Sequence, residues 1–412
     1  MKKEKSELNR IVVFTENYAK GGGNRYLVDL INSFDVDEHE ILVFSNSGGI
    51  YSEDICRLNK PVKFKSIFFI TRALFFNWIK FPIHQKNKFL RRFISIPLVL
   101  LEPLFLFFNI LSFLILCFLM KPDRVIACNG GYPAAKSCCA MIIAARLFKI
   151  PTVLSIVSMP ASRNKFLYFF EKALDIMLWG STDVVIVNAK AISEALSIRR
   201  DMPINKSYVI HNGLESLAPI NPMLDDGDLI EKGDFVIGVV ARLDKEKGIL
   251  FLFEAFISML EKHPNLKLIL VGYGDIFDEI ALRIAQLGLQ NRIKLPGYLV
   301  GDISALLPRF DIYVLPSLWE GLPYSILEAL RSGCVVVATN VGGISEAILD
   351  RFDGMLIEPA SSLAIIRALD ELINDAELRA KLSTNAKIKF ESNFTLAGME
   401  VRVREVFALT KK

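Results

Sequence analysis

The chain is expected to fold as two doubly wound α/β domains, and three observations carry that expectation. Its 412 residues exceed what one ordinary hydrophobic core takes up. Short apolar runs alternate with helix-length segments twice over. Most runs are continuous in Val, Ile and Leu, the pattern of parallel strands covered on both faces.

The first half offers strands at 11–15 (IVVFT), 40–45, 62–67, 124–128, 152–157, 183–187 and 207–210, and the second half at 235–241, 266–272, 292–297, 311–316, 334–339 and 354–358. Between the halves, ESLAPINPMLDDGDLIEKGD (215–234) is rich in Pro, Asp and Gly and reads as a linker. Its Asp226 and Asp228 fit a solvated turn better than a metal site. The expected organisation is a Rossmann-like domain over 1–216, a linker at 217–233, a second domain over 234–390 and a final segment, 391–412.

Just over half of the residues are apolar, which excludes global disorder. With 49 basic against 45 acidic residues the net charge is +4, which argues against a dedicated nucleic-acid binder. The six cysteines form no CxxC pair and read as reduced core thiols of a cytosolic protein. The first ten residues lack an apolar region, so no secretory signal is expected. One anomaly runs from Phe93 to Met120, where the last 17 residues hold only Asn109 and Ser112 as polar side chains. A buried core helix, a helix lying in a membrane surface and a membrane span all remain open. The basic run Lys86, Lys88, Arg91 and Arg92 just before it favours contact with anionic lipid over the 86–120 region.

The sharpest chemical signal is DIYVLPSLWEGLPYSILEALRSG (311–333), a strand, a loop and a helix beginning near Pro323 with the proline in its first turn. A helix start at a sheet's carboxyl edge suits a diphosphate, because its amides and dipole both favour anions. Glu320 in the loop and Glu328 on the helix are placed to accept hydrogen bonds from sugar and ribose hydroxyls. The second signal is VVARLDKEKG (239–248), where Arg242 and Lys247 follow a strand and can neutralise a departing diphosphate. The third is Gly21, Gly22 and Gly23, which open a helix after the first strand and allow close backbone approach. The dinucleotide fingerprint fails both there and at VGYGDIF, so a nicotinamide dehydrogenase is disfavoured.

Taken in order, the glycine loop, KPDRVIACN (121–129), VIHNGLE (209–215), ARLDKEKG, LVGYGD, LPGYL, the E-x7-E pair Glu320/Glu328 and GCVVVATNVGGISEAI (333–348) make the chain resemble glycosyltransferase family 4 over nearly its whole length. The resemblance implies a GT-B fold, two Rossmann-like domains facing across a cleft, with the 391–412 helix packing back on the first. It implies a retaining transfer from a nucleotide-sugar donor, UDP- or GDP-linked. The apolar stretch beside the basic cluster points to a saccharide or lipid-linked saccharide as acceptor, in cell-surface polysaccharide synthesis, by a cytoplasmic enzyme peripheral to the membrane. No cofactor or bound metal is implied. Glu320, Arg242 and Lys247 would be catalytic; Gly21, Gly22, Gly23, Gly272, Tyr298, Gly321, Tyr324, Ser325 and Glu328 would hold the donor. Asn129, Tyr132 and Arg163 are acceptor candidates on position alone. One departure stands out: the first-domain histidine of many members is missing, the nearest position being Ser158. A non-catalytic nucleotide-sugar-binding subunit and a nucleotide-sugar epimerase are the alternatives.

Overall fold

The computed structural model describes residues 8–16, 21–35, 37–46, 61–71, 98–216, 229–299 and 305–409. The Lys86–Arg92 run and most of the expected linker lie outside the described residues. All thirteen expected strands are present, divided between two wholly parallel sheets. The chain falls into two compact units, Met1–Ile210 with Glu400–Lys412 and His211–Met399.

The first unit runs β1 (Asn9–Thr15), α1 (Gly22–Asn32), β2 (His39–Asn46), β3 (Lys63–Ile67), α2 (Glu102–Met120), β4 (Arg124–Asn129), α3 (Lys136–Leu147), β5 (Thr152–Ile156), α4 (Tyr168–Ser181), β6 (Val184–Val187), α5 (Lys190–Arg200) and β7 (Ser207–Val209). Its seven strands lie in the order β3-β2-β1-β4-β5-β6-β7. The second unit runs β8 (Phe235–Val240), α6 (Ile249–Met259), β9 (Leu266–Val271), α7 (Phe277–Gln286), β10 (Ile293–Gly297), β11 (Ile312–Leu315), α8 (Tyr324–Ser332), β12 (Val335–Thr339), α9 (Ile344–Ala347), β13 (Met355–Ile357), α10 (Ser362–Asn374) and α11 (Ala376–Asn393). Its six strands lie in the order β10-β9-β8-β11-β12-β13. In an open parallel sheet, ligands bind outside the carboxyl ends of the strands where the order reverses. Those reversals fall between β1 and β4 and between β8 and β11.

The all-apolar strands earn their place by burial on both faces. In the second unit Ile237 and Val239 of β8 pack with Leu252, Phe253 and Phe256 of α6 and with Leu369 and Leu372 of α10. Each such side chain contributes roughly 1.5–3 kcal/mol by leaving water. The last helix, α12 (Leu396–Ala408), carries the chain back into the first unit at Glu400. There Phe407 meets Phe34 edge-on at 4.8 Å and receives the Arg124 guanidinium over its ring at 5.1 Å.

The anomalous apolar segment resolves into α2, the one described helix long and apolar enough to cross a membrane. Only 28% of that window is buried, with Phe105, Leu106, Phe113 and Cys117 on the covered side. Its two polar groups other than Ser112 point inward. Asn109 bonds Ile70 twice, accepting its N–H at 2.9 Å and donating to its carbonyl at 2.8 Å. Glu102 accepts from Lys136 of α3, and Phe113 packs edge-on against Phe14 of β1 at 4.8 Å. The opposite stripe, Leu104, Phe107, Leu111, Ile115 and Phe118, is exposed. The five cysteines among the described residues are all buried and unpaired.

Candidate active site

Arg242, Lys247 and Glu320 meet the β8/β11 reversal from both sides. After β8 the chain turns through Lys245–Lys247, and after β11 it forms the loop Pro316–Pro323. The two loops are tied together by the Leu318 N–H, which donates to the Glu246 carbonyl at 2.8 Å. Lys247 then donates to Oε1 of Glu320, which also accepts from Ser317 Oγ at 2.8 Å. Glu320 is buried, with 8% of its surface exposed, whereas the Arg242 side chain is 59% exposed and held at 2.8 Å by Asp244. The crevice therefore presents one exposed cation paired with the half-buried Asp244 and one cation paired with the buried Glu320. An arriving diphosphate can take the place of Glu320 as partner of Lys247, which would free Glu320 to accept from hydroxyls.

The loop that carries Glu320 is clamped from three sides. Thr339 Oγ1 donates to the Ser317 carbonyl at 2.5 Å, Asn212 Nδ2 to the Leu322 carbonyl at 2.8 Å and the Gly343 N–H to the Gly321 carbonyl at 2.9 Å. Gly342 has φ +55°, and a Cβ there would collide with the Glu320 carbonyl oxygen, so only glycine lets this clamp close. Gly272, at φ +136° after β9, is subject to the same limit against the Ala241 carbonyl. That contact locks the β9 loop onto the stretch leading into Arg242. Tyr298, after β10, is 75% exposed.

Helix α8 starts at Tyr324 with Pro323 as the capping residue, not inside the first turn as expected. No side chain caps it, which leaves its first turn, Tyr324 and Ser325, suited to an anion. Ser325 hydrogen-bonds the phenol of Tyr313 from β11. Burial pushes that phenol well above its ordinary range, and the charges of Glu328 and Glu320 add to the push. Tyr313 is fully buried, and its hydroxyl donates to the Val240 carbonyl at 3.2 Å. Tyr313, Ser317, Asp244 and Asn212 were not singled out as site residues. Asn212 sits in the VIHNG segment, and its signal was a buried amide side by side with a histidine. His211 itself contacts Glu346 at 3.0 Å, away from the Glu320 pair.

The first unit has its own cavity, of about 170 Å³, at the β1/β4 reversal, lined by Glu16, Gly21, Gly23, Asn24, Asn129 and Ser155 among others. Gly21 caps α1 in an extended conformation, with Gly22 and Gly23 in the first turn. The three acceptor candidates do not come together. Tyr132 is 1% exposed and donates to Asp175, and Arg163 bonds Asp175 at 2.8 Å and Asp201 at 2.9 Å. With Arg200 and Glu171 they form a buried ionic network, where their polar atoms are already committed. Burial raises the Asp175 pKa even so, with Tyr132 and Arg200 opposing the rise. Only Asn129 reaches the cavity. Ser158 lies beside Gly131, and the three described histidines pair elsewhere, with Asp35, Glu346 and Asp370.

Two Rossmann-like units, each built on a parallel sheet with a strand-order reversal, make up the GT-B fold. Residues 224–389 match the family model for glycosyl transferases group 1. The chain is 29% identical over 277 residues to the UDP-Gal:alpha-D-GlcNAc-diphosphoundecaprenol alpha-1,3-galactosyltransferase of Escherichia coli, covering 64% of this chain and 71% of that one. It is 26% identical to the capsular polysaccharide biosynthesis glycosyltransferase CapM of Staphylococcus aureus, over 70% of this chain and 78% of the other. Its fold superposes on HepE of Anabaena, solved in complex with UDP, with a TM-score of 0.72 at 20% identity over 97% of this chain and all of that one. The protein is a glycosyltransferase of GT-B fold, and its similarity to glycosyl transferases group 1 lies over residues 224–389.

Proposed function

We propose that the protein is a retaining family 4 glycosyltransferase that takes a sugar from a UDP- or GDP-linked donor, with UDP the first to test, and adds it to a saccharide or lipid-linked saccharide in cell-surface polysaccharide synthesis. The observation that carries the reading is the Lys247–Glu320 pair, which joins the loop after β8, where Arg242 also lies, to the loop that leads into the uncapped start of α8. In this proposal Arg242 and Lys247 stabilise the leaving diphosphate, whose charge grows as the glycosidic bond breaks. Amides around Gly321, Tyr324 and Ser325 hold the phosphates, Glu320 the sugar hydroxyls and Glu328 the ribose. Gly272 shapes the adjoining loop, and Tyr298 offers an exposed ring for the base. The cations and helix dipole do the work of a metal, so no bound metal or cofactor is part of the proposal. The similarity to the E. coli galactosyltransferase and to S. aureus CapM, and the UDP held by HepE, support the donor and acceptor classes.

The same proposal puts the enzyme at the cytoplasmic face of a membrane, touching lipid through the 86–120 region. The exposed apolar stripe of α2 supports that contact. The packing of Asn109 and Phe113 favours a helix lying on the surface over a span, since a span would have to leave its seat on the unit. Thermal stabilisation by a panel of nucleotide sugars, followed by NMR of the product anomer, tests the activity. Stabilisation by one nucleotide sugar and an anomer matching the donor are expected; an inverted anomer would contradict the retaining assignment.

A further inference from the structure

We propose that His211 and Glu346 are positioning residues for Glu320: their contact closes a ring of hydrogen bonds that keeps the Glu320 loop in place when a donor diphosphate takes over Lys247. The proposal rests on the donor-site reading and deepens it at the same crevice.

The Glu320 loop, Pro316–Pro323, contains neither helix nor strand, so its shape depends on what grips it. On one side Asn212 Nδ2 donates to the Leu322 carbonyl at 2.8 Å; on the other the Gly343 N–H donates to the Gly321 carbonyl at 2.9 Å. Gly342 lies so close that a Cβ there would stand 1.9 Å from the Glu320 carbonyl oxygen. A shift of the turn around Gly342 and Gly343 therefore moves the backbone of Glu320.

His211 and Glu346 join these two grips. His211 adjoins Asn212, and Glu346 stands on α9, directly after the Gly343 turn. His211 Nε2 and Glu346 Oε2 are 3.0 Å apart, and an ionised carboxylate only accepts, so the imidazole N–H is the donor. The histidine end of the tie is fixed. Its ring packs against Phe394 with centroids 5.6 Å apart, and the neighbouring Leu214 exchanges two backbone hydrogen bonds, with the Phe394 carbonyl at 2.9 Å and the Leu396 N–H at 2.7 Å. The glutamate end is the part that needs holding, since α9 spans only Ile344–Ala347 and so short a helix does not sustain itself. Lys247 and Ser317 both donate to Oε1 of Glu320. A diphosphate that takes Lys247 leaves Ser317 as the remaining one of these two, and the ring then holds the loop. Loss of the tie should therefore cost turnover more than diphosphate binding.

The test reads kcat, UDP affinity by calorimetry and hydrogen exchange of the Gly343 amide, all on the full chain. His211→Ala should lower kcat about tenfold or more and speed Gly343 exchange, while UDP affinity changes far less. His211→Gln, whose side-chain amide can donate to the same carboxylate, should restore both. Glu346→Ala should match His211→Ala, and the double variant should lose no more than the worse single one. Wild-type kcat and exchange in a folded His211→Ala, or losses that multiply in the double variant, overturn the proposal. A fall in UDP affinity as large as that in kcat, with no rescue by His211→Gln, would mean a purely structural role and overturns it too. Should His211→Ala fail to fold, Glu346→Ala carries the same comparison from the other end of the bond. A wild type that turns over no nucleotide sugar strikes the glycosyltransferase reading; unchanged Gly343 exchange in the variants then overturns the tie, and faster exchange supports it.

Discussion

The two units share a parallel sheet with a strand-order reversal, yet the two reversals are opposite in character. At β8/β11 the chain sets Arg242 and Lys247 just after β8, with Lys247 paired to Glu320 in the loop that leads into α8, an environment that invites a multiply charged anion. At β1/β4 the cavity is lined by Glu16, Asn129 and the start of α1, with no Lys or Arg among the described residues that line it. A helix start at a sheet edge is common to both, so it cannot by itself name a ligand. The side chains placed opposite it make the choice, which is the general reason that a fold does not specify a function.

The sharpest way to break this contrast is to remove charge from the second unit. Lys247→Ala should lower kcat by about 10²-fold while donor KM changes much less, because the cation acts on charge that develops in the transition state. Steady-state kinetics on the folded variant checks it; a raised KM with wild-type kcat would mean uniform binding instead. Glu328→Ala should weaken donor binding by about 1.5–3 kcal/mol, read by calorimetric titration, and unchanged affinity would remove the ribose role.

A comparison of glycines sharpens the contrast in packing. Gly342→Ala should cost roughly 1–3 kcal/mol of stability, since its Cβ collides with the Glu320 carbonyl at a positive φ. Gly21→Ala has open space and extended backbone, so it should change stability by less than about 0.5 kcal/mol. Thermal melts of both variants decide this, and equal costs would mean that the Glu320 loop is not clamped as described. The smallest effect concerns α2. Replacing Phe107, Ile115 and Phe118 by Ser should move the protein from the membrane to the soluble fraction, while salt alone should not, since screening acts only on charges. Full solubility of the unaltered protein without lipid would return the exposed stripe to another use.

The strands were legible because a parallel strand buried on both faces must be written as an unbroken apolar run, as in IVVFT and CVVVAT. The catalytic candidates were legible as loops just past such runs. Their union was not: Lys247 and Glu320 lie 73 positions apart, and only the β8/β11 adjacency brings them together. Helix α2 defeated periodicity, because its two faces are equally apolar. What orients it is the pair of polar groups pointing inward, Glu102 to Lys136 and Asn109 to Ile70. Tyr132 and Arg163 follow strand ends as site residues do, yet a carboxylate from α4 claims both. Position along the chain carries no information about that partner.

The central claim is that the β8/β11 crevice holds a diphosphate through Lys247, and that the hold strengthens as the sugar departs. UDP, which carries the extra negative charge of the leaving group, reports on that state directly. Calorimetric titration of UDP into the wild type and Lys247→Ala, beside the donor KM of each, is the measurement. The account predicts that UDP affinity falls by about 10²-fold in the variant while donor KM changes much less. Equal losses for UDP and donor, or no loss for UDP in a folded variant, would contradict it.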